Sequence, residues 1–139
     1  MNNVRIDDFI EKLRLWSSAQ LEIQATAIVG SWARGTARAD SDIDVIVVVS
    51  EPAKLLDNNG WLKQFGPIDK FVREDWGLVQ SLRVYYNNGQ EVEFGITTKE
   101  WISPEEIDLA SGQIMRDGMM IVYDPAHMLG QALLAAQRF

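Results

Sequence analysis

The sequence predicts an α/β (α+β) domain with a mixed β-sheet of about four to five strands flanked by helices, and three features lead there. Apolar residues at helical spacing open and close the 139-residue chain. Short runs rich in β-branched residues lie between glycines and polar loops, and Asn87-Asn88-Gly89-Gln90 joins two β-rich segments in the manner of a hairpin turn. The hairpin makes the sheet mixed and argues against a purely parallel, doubly wound arrangement.

Ile6, Phe9, Ile10, Leu13, Trp16 and Leu21 fall mostly three and four apart, so Ile6 to Leu21 reads as an amphipathic helix. Ala25 to Val29 is a short apolar run ended by Gly30, as suits a buried strand. Ser31 to Arg34 follows as a short helix that Ser31 is able to cap and Gly35 to end. The polar loop Thr36 to Ser41 leads into Asp42 to Val49, whose Ile-Val-Val-Val run marks a central strand. From Glu51 to Phe71 the chain is broken by Pro52, Asn58-Asn59, Gly60, Gly66 and Pro67, which leaves room for one or two short helices around Ala53–Leu56 and Trp61–Phe65. Gly77 to Tyr86 and Glu91 to Thr98 form the hairpin. Pro104 starts a helical stretch through Ala110, Met119 to Tyr123 is a further short strand closed by Asp124-Pro125, and Ala126 to Gln137 is a final helix. With no repeat, low-complexity segment or linker, one domain over residues 1–139 is expected.

Composition narrows the function classes. A hydrophobic share of 47% and a charged share of 24% suit a globular domain and exclude the disordered and collagen-like extremes. Thirteen basic against twenty acidic residues give a net charge of −7, which repels a long phosphodiester, so no nucleic-acid partner is expected. The absence of cysteine excludes disulfides and thiolate metal sites. The N-terminus carries no signal-like apolar run, and no stretch approaches the roughly 20 apolar residues of a membrane span, so a cytoplasmic location without a membrane partner is expected.

The residues that carry chemistry are Gly30-Ser31-Trp32-Ala33-Arg34-Gly35 and, a few residues on, Asp40-Ser41-Asp42-Ile43-Asp44. A glycine after a strand lets backbone approach a bulky anion, and a helix starting at Ser31 aims free N–H groups at phosphate oxygens. No Gly-Lys-Ser/Thr follows, so this is not a Walker A loop. Side chains two apart on a strand share a face, which puts Asp42 and Asp44 together. Two carboxylates so close repel unless a cation or proton lies between them, and hard oxygen ligands favour Mg²⁺, or Mn²⁺, over zinc. Alone, the glycine-serine pair is usually a turn and Asp-x-Asp a solvated strand end; their order and spacing join them into one site.

Together these segments resemble the signature of the DNA polymerase β-like nucleotidyltransferase superfamily, with the bacterial small-molecule (aminoglycoside-type) and minimal nucleotidyltransferases nearest. The resemblance implies a nucleotidyltransferase fold, two divalent metals on the aspartates, and attack of an acceptor on the nucleotide α-phosphate with release of pyrophosphate. It also implies a third carboxylate from a neighbouring strand. In Glu91-Val92-Glu93-Phe94-Gly95, the alternation puts Glu91, Glu93 and Gly95 on one face. Glu93 is favoured because Gly95 beside it leaves open space, with Glu91 in reserve, and the family usually carries Asp here. Glu93 would ligate metal or act as general base.

Gly30, Ser31 and Arg34 are the expected nucleotide-binding residues, whereas Arg38 reads as a surface residue. Trp16, Trp61, Trp76 and Trp101 read as core or pocket walls, Trp32 as a candidate wall of the nucleotide site, and the lone His127 as a surface residue. The expected activity is transfer of AMP from ATP to a hydroxyl-bearing acceptor, a small molecule or a protein. Only Ala126 to Phe139 remains for the acceptor side, so a homodimer would supply a missing wall. Two alternatives stand beside this: an antitoxin of the minimal nucleotidyltransferase type that modifies a partner toxin protein, and a non-catalytic nucleotide-binding domain.

Overall fold

The computed structural model describes residues 3–102, 114, 115 and 117–137. Its strands are β1 (Ile23–Val29), β2 (Ile43–Val49), β3 (Ile68–Trp76), β4 (Val79–Tyr86), β5 (Glu91–Thr97) and β6 (Met120–Tyr123), in one sheet of order β3-β4-β5-β2-β1-β6. Only β2 and β5 pair parallel; the other neighbours are antiparallel, which makes the sheet mixed as the hairpin implied. The helices with described bounds are α1 (Asn3–Ala19), α2 (Ser31–Arg34), α3 (Pro52–Asp57) and α4 (Met128–Ala136), and Ile114, Met115 and Asp117 are also helical. Two 3₁₀ turns cover Asn59–Phe65 and Lys99–Ile102. The expected helix from Pro104 to Ala110 lies outside the described residues.

The sheet has six strands, one more than expected, because β3 went unread. Its residues are exposed or half-buried along the whole strand, so it lacks the alternation that marks a strand with a buried face. Backbone pairing with β4, from Ile68↔Tyr86 to Trp76↔Val79, holds it at the sheet edge. The first helix ends at Ala19, earlier than the Leu21 expected, and Leu21 is fully exposed in the turn that follows.

Both faces of β2 are covered, which explains why its sequence is continuously apolar instead of alternating. On one face Ile43, Val45, Val47 and Val49 join Phe94 and Ile96 of β5 and pack against Phe9, Leu13 and Trp16 of α1. Trp16 stacks on Trp61 at 4.7 Å, and Phe94 meets Trp61 edge-on at 5.0 Å and Phe65 at 5.2 Å. This aromatic cluster fixes the back of β5 directly beneath the residues that matter for function. On the other face Ile46 and Val48 pack with Ala25, Ala27 and Val29 of β1 against Leu129, Ala132 and Ala136 of α4. That second core stops at Val29 and Ile46, and the same face then continues into polar residues.

Tyr86 anchors the hairpin to the 3₁₀ turn through its hydroxyl, which donates to the Leu62 carbonyl at 2.8 Å. Tyr86→Phe is expected to cost about 1 kcal/mol of stability, read from urea denaturation, because it leaves that buried carbonyl without its donor. No helix among the described residues is long and apolar enough to cross a membrane.

Candidate active site

Strand register brings the two sequence motifs into contact. β1 and β2 pair with Val29 opposite Asp44, so the next residue, Gly30, rises over the Asp44 side chain. Gly30 has φ 75° and ψ −154°, and a Cβ built there would overlap Asp44 Oδ2. Only glycine fits this position on both counts.

Gly30 also occupies the N-cap position of α2, and no side chain caps the turn. This corrects the expectation that Ser31 caps it: the helix begins directly after the strand, so the residue with non-helical dihedrals is the glycine, and Ser31 is the first helical residue. Gly35 ends the turn in the left-handed conformation, as expected. The Arg34 N–H donates to the Gly30 carbonyl at 3.0 Å, so the amides that precede it have no intrahelical acceptor. Gly118, which carried no sequence signal, backs the turn: a Cβ there would come within 3.1 Å of the Ala33 carbonyl.

The parallel register of β2 and β5 sets Asp44 beside Glu93. Their side chains lie within hydrogen-bonding reach of each other. Burial first, then the charges of Glu93 and Asp42, push the Asp44 carboxyl up to about 6, against a smaller downward pull from Arg83. A carboxyl raised by burial and by adjacent carboxylates in a cleft marks a candidate functional position. Asp42 sits just ahead of β2 with its side chain half-exposed.

Arg83, to which sequence reasoning assigned no role, stands at the centre of the cluster. It lies opposite Glu93 in the β4–β5 pairing. Its guanidinium reaches Glu91 at 2.6 Å, Glu93 at 3.2 Å, Glu74 at 3.3 Å and Asp42 at 3.6 Å. The Glu91 hydrogen bond is the largest of the effects that raise its own pKa. The only local trace was a charged residue between apolar Leu82 and Val84 inside β4, which alternation alone reads as the outward face of a strand. Glu91, the reserve carboxylate, is bound to Arg83 and lies opposite Tyr85, whereas Glu93 is the glutamate beside Asp44.

Among the described residues no three acidic or histidine side chains converge as a ready-made metal cage. Asp42 and Glu93 are each drawn to Arg83 instead. The donor set nevertheless fits a hard cation: all are carboxylate oxygens, and burial with two neighbouring carboxylates raises Asp44.

Asp44 and Glu93 border a cleft of about 590 Å³. Gly30 and Arg34 form its other polar wall, and Trp76, Val79, Trp101 and Ile114 its apolar side. Trp76 is 63% exposed at the rim, while Trp101 is buried; Trp16 and Trp61 belong to the core. Ser31 is half-buried and does not border this cleft. Arg38 is exposed in the following loop, where its backbone N–H donates to Ser41 Oγ at 2.8 Å.

Two expectations are corrected here. Trp32 does not wall the Asp44–Glu93 cleft: its indole N–H donates to the Ser41 carbonyl at 3.3 Å, and its ring borders a separate cavity with Ile6 and Ile10. The space beside Gly95 is not open, since a Cβ there would lie 2.9 Å from Val79 Cγ1 and 3.3 Å from Ile46 Cδ1. The missing side chain lets Val79 close onto the sheet at the cleft floor. His127 is exposed ahead of α4, as expected.

Comparison with known proteins agrees with this geometry. A model of the nucleotidyltransferase domain matches residues 6–116, which include every residue named as bordering the cleft, with Gly118 just beyond. No curated protein matches the chain. Among solved structures the fold is similar to that of an aminoglycoside 6-adenyltransferase from Bacillus subtilis, with a TM-score of 0.50 and 13% identity. That likeness covers 64% of this chain and 34% of the other, so the chain spans about a third of that enzyme's length.

Proposed function

The chain belongs to the nucleotidyltransferase domain family, and from that premise we propose that it transfers AMP from ATP to a hydroxyl-bearing small molecule bound in the cleft. The observation that supports this most is a matter of register. Val29↔Asp44 and Asp44↔Glu93 bring a glycine turn whose first amides lack an intrahelical acceptor, an aspartate of raised pKa and a candidate base to one edge of one cleft.

In this reading the amides of the Gly30–Ser31 turn and the Arg34 guanidinium receive the β- and γ-phosphates. Asp42, Asp44 and Glu93 would hold the magnesium ions, two in number with manganese as a substitute, which neutralise the triphosphate. The acceptor hydroxyl oxygen forms a bond to the α-phosphorus while the bond from that phosphorus to the bridging oxygen breaks. Glu93 takes the hydroxyl proton, and pyrophosphate leaves. A cleft of about 590 Å³ admits a small molecule, and its Trp76, Val79 and Trp101 side favours one with an apolar body. The adenylyl donor is the reading that accords with the adenyltransferase whose fold the chain shares.

Labelled ATP with Mg²⁺ and a panel of hydroxyl-bearing compounds tests this. Wild-type protein is expected to form a labelled adduct and pyrophosphate, and Asp42→Asn to lower the rate by about 10²–10³-fold. If no acceptor is labelled and Asp42→Asn binds Mg-ATP as well as the wild type does, the proposal is wrong.

A further inference from the structure

Five carboxylates gather around the Asp44–Glu93 pair, two of them bordering the cleft, and a single guanidinium serves four of the five. Asp42 comes from the loop ahead of β2, Glu74 from β3, and Glu91 and Glu93 from β5, all at 2.6 to 3.6 Å from Arg83. Asp44, beside them, takes no part in these pairs. A cross-strand arginine that served only the sheet would need its opposite partner and one neighbour. Here the planar fork is divided among groups from different elements, two of which belong to the proposed metal site. Arginine suits such a position, since its donors are fixed in a plane, whereas a lysine ammonium is a point charge that cannot serve several carboxylates in one geometry. Arg83 and Glu93 side chains are only 21% and 20% exposed, so salt screens their pair little.

We propose that Arg83 is a positioning residue of the transfer site: it sequesters Glu91, aims Glu93 beside Asp44, and holds Asp42 until a divalent cation takes that carboxylate over. The proposal rests on reading Asp42, Asp44 and Glu93 as the metal-binding set. It accounts for the pull of Asp42 and Glu93 away from a closed cage, and for the division of labour between two glutamates that alternate onto one face. Arg83 then works in two opposed senses. It competes with the metal for Asp42 and Glu93, and it keeps Glu93 in the position from which the acceptor proton is taken.

Those senses separate experimentally. Mn²⁺ binding to the nucleotide-free protein is read from the electron paramagnetic resonance signal of free Mn²⁺, and kcat and KM for ATP are measured in parallel. Arg83→Met is expected to tighten Mn²⁺ binding by on the order of tenfold, because a rival cation has gone from within a few ångströms. The same variant is expected to lose at least about tenfold in kcat with KM for ATP changed by less than about threefold, because Glu93 is no longer aimed. Adding Glu91→Gln to Arg83→Met is expected to recover part of the kcat, since the released glutamate no longer competes with Glu93 for the metal.

Should Arg83→Met fail to fold, Arg83→Lys keeps the charge and decides the matter. It is expected to bind Mn²⁺ as the wild type does while kcat falls, and a wild-type kcat in that variant overturns the proposal. Unchanged Mn²⁺ affinity in folded Arg83→Met also overturns it while leaving the metal-site reading intact. A wild-type protein that binds no Mn²⁺ contradicts the metal-site reading itself, and the proposal falls with it.

Discussion

Asp44→Asn is expected to lower nucleotidyl transfer by about 10³-fold or more while making the ligand-free protein more stable at neutral pH, a pairing that an ordinary structural aspartate would not give. The activity loss follows from the position of Asp44 between Gly30 above it and Glu93 beside it. The stability gain follows from the sign of its pKa change. The group ordinarily titrates at 3.8, and in the fold it is raised to about 6, so the folded protein binds this proton more tightly than the unfolded chain does. That contribution is fully present below about pH 4 and is lost as pH rises through about 6. At pH 7 the ionised carboxylate is held away from water and beside repelling neighbours, and an amide relieves both costs. The gain is about 1–2 kcal/mol once solvent screening at this part-exposed group is allowed for, or a few degrees in Tm. Thermal melts from pH 4 to pH 8 check it: this group's downward slope between about pH 4 and 6 should be missing in the variant. Mg²⁺ is further expected to raise the Tm of the wild type and to leave that of Asp44→Asn nearly unmoved.

Gly30→Ala carries the second large effect. At φ 75° and ψ −154° the backbone lies in a region that is essentially glycine's alone, and the added methyl would overlap the Asp44 carboxylate. Either the turn shifts, carrying its amides away, or Asp44 moves off Glu93. Both outcomes damage the same site, so kcat is expected to fall by about 10²-fold or more, with about 1–3 kcal/mol of lost stability from strain. Gly35→Ala is the control. Gly35 has φ 78° and ψ 18° in the ordinary left-handed region, and a Cβ there meets nothing within 4 Å. It is expected to cost about 1 kcal/mol with little change in kcat. If the two alanine variants lose activity equally, strain in the turn and not contact with Asp44 governs the site.

What the sequence made legible follows from where each segment lies. β2 could be read at once because both its faces are buried, and β5 because its apolar residues alternate with Glu91, Glu93 and Gly95. β3 could not, because no face of it is buried and its strand character comes from pairing with β4. Alternation alone placed Glu91 and Glu93 on one face and could not choose between them. The choice depends on the parallel register with β2, which is a long-range fact. Arg83 was hidden for a related reason: its partners come from β3, β5 and the loop before β2, and no local pattern announces such a convergence. Trp32 misled because adjacence in sequence to Ser31 says nothing of which side of the turn the ring takes, and the ring turns to the α1 side.

The central claim is that Gly30, Asp42, Asp44 and Glu93 act as one nucleotide and metal site. The most direct test is a crystal of the protein grown with Mn²⁺ and a nonhydrolysable ATP analogue, with manganese located by anomalous scattering. Manganese on Asp42 and Asp44 with Glu93 alongside, and the triphosphate against the Gly30–Ser31 amides, is the predicted result. Manganese bound away from these carboxylates, or a triphosphate seated elsewhere on the sheet, would contradict the account.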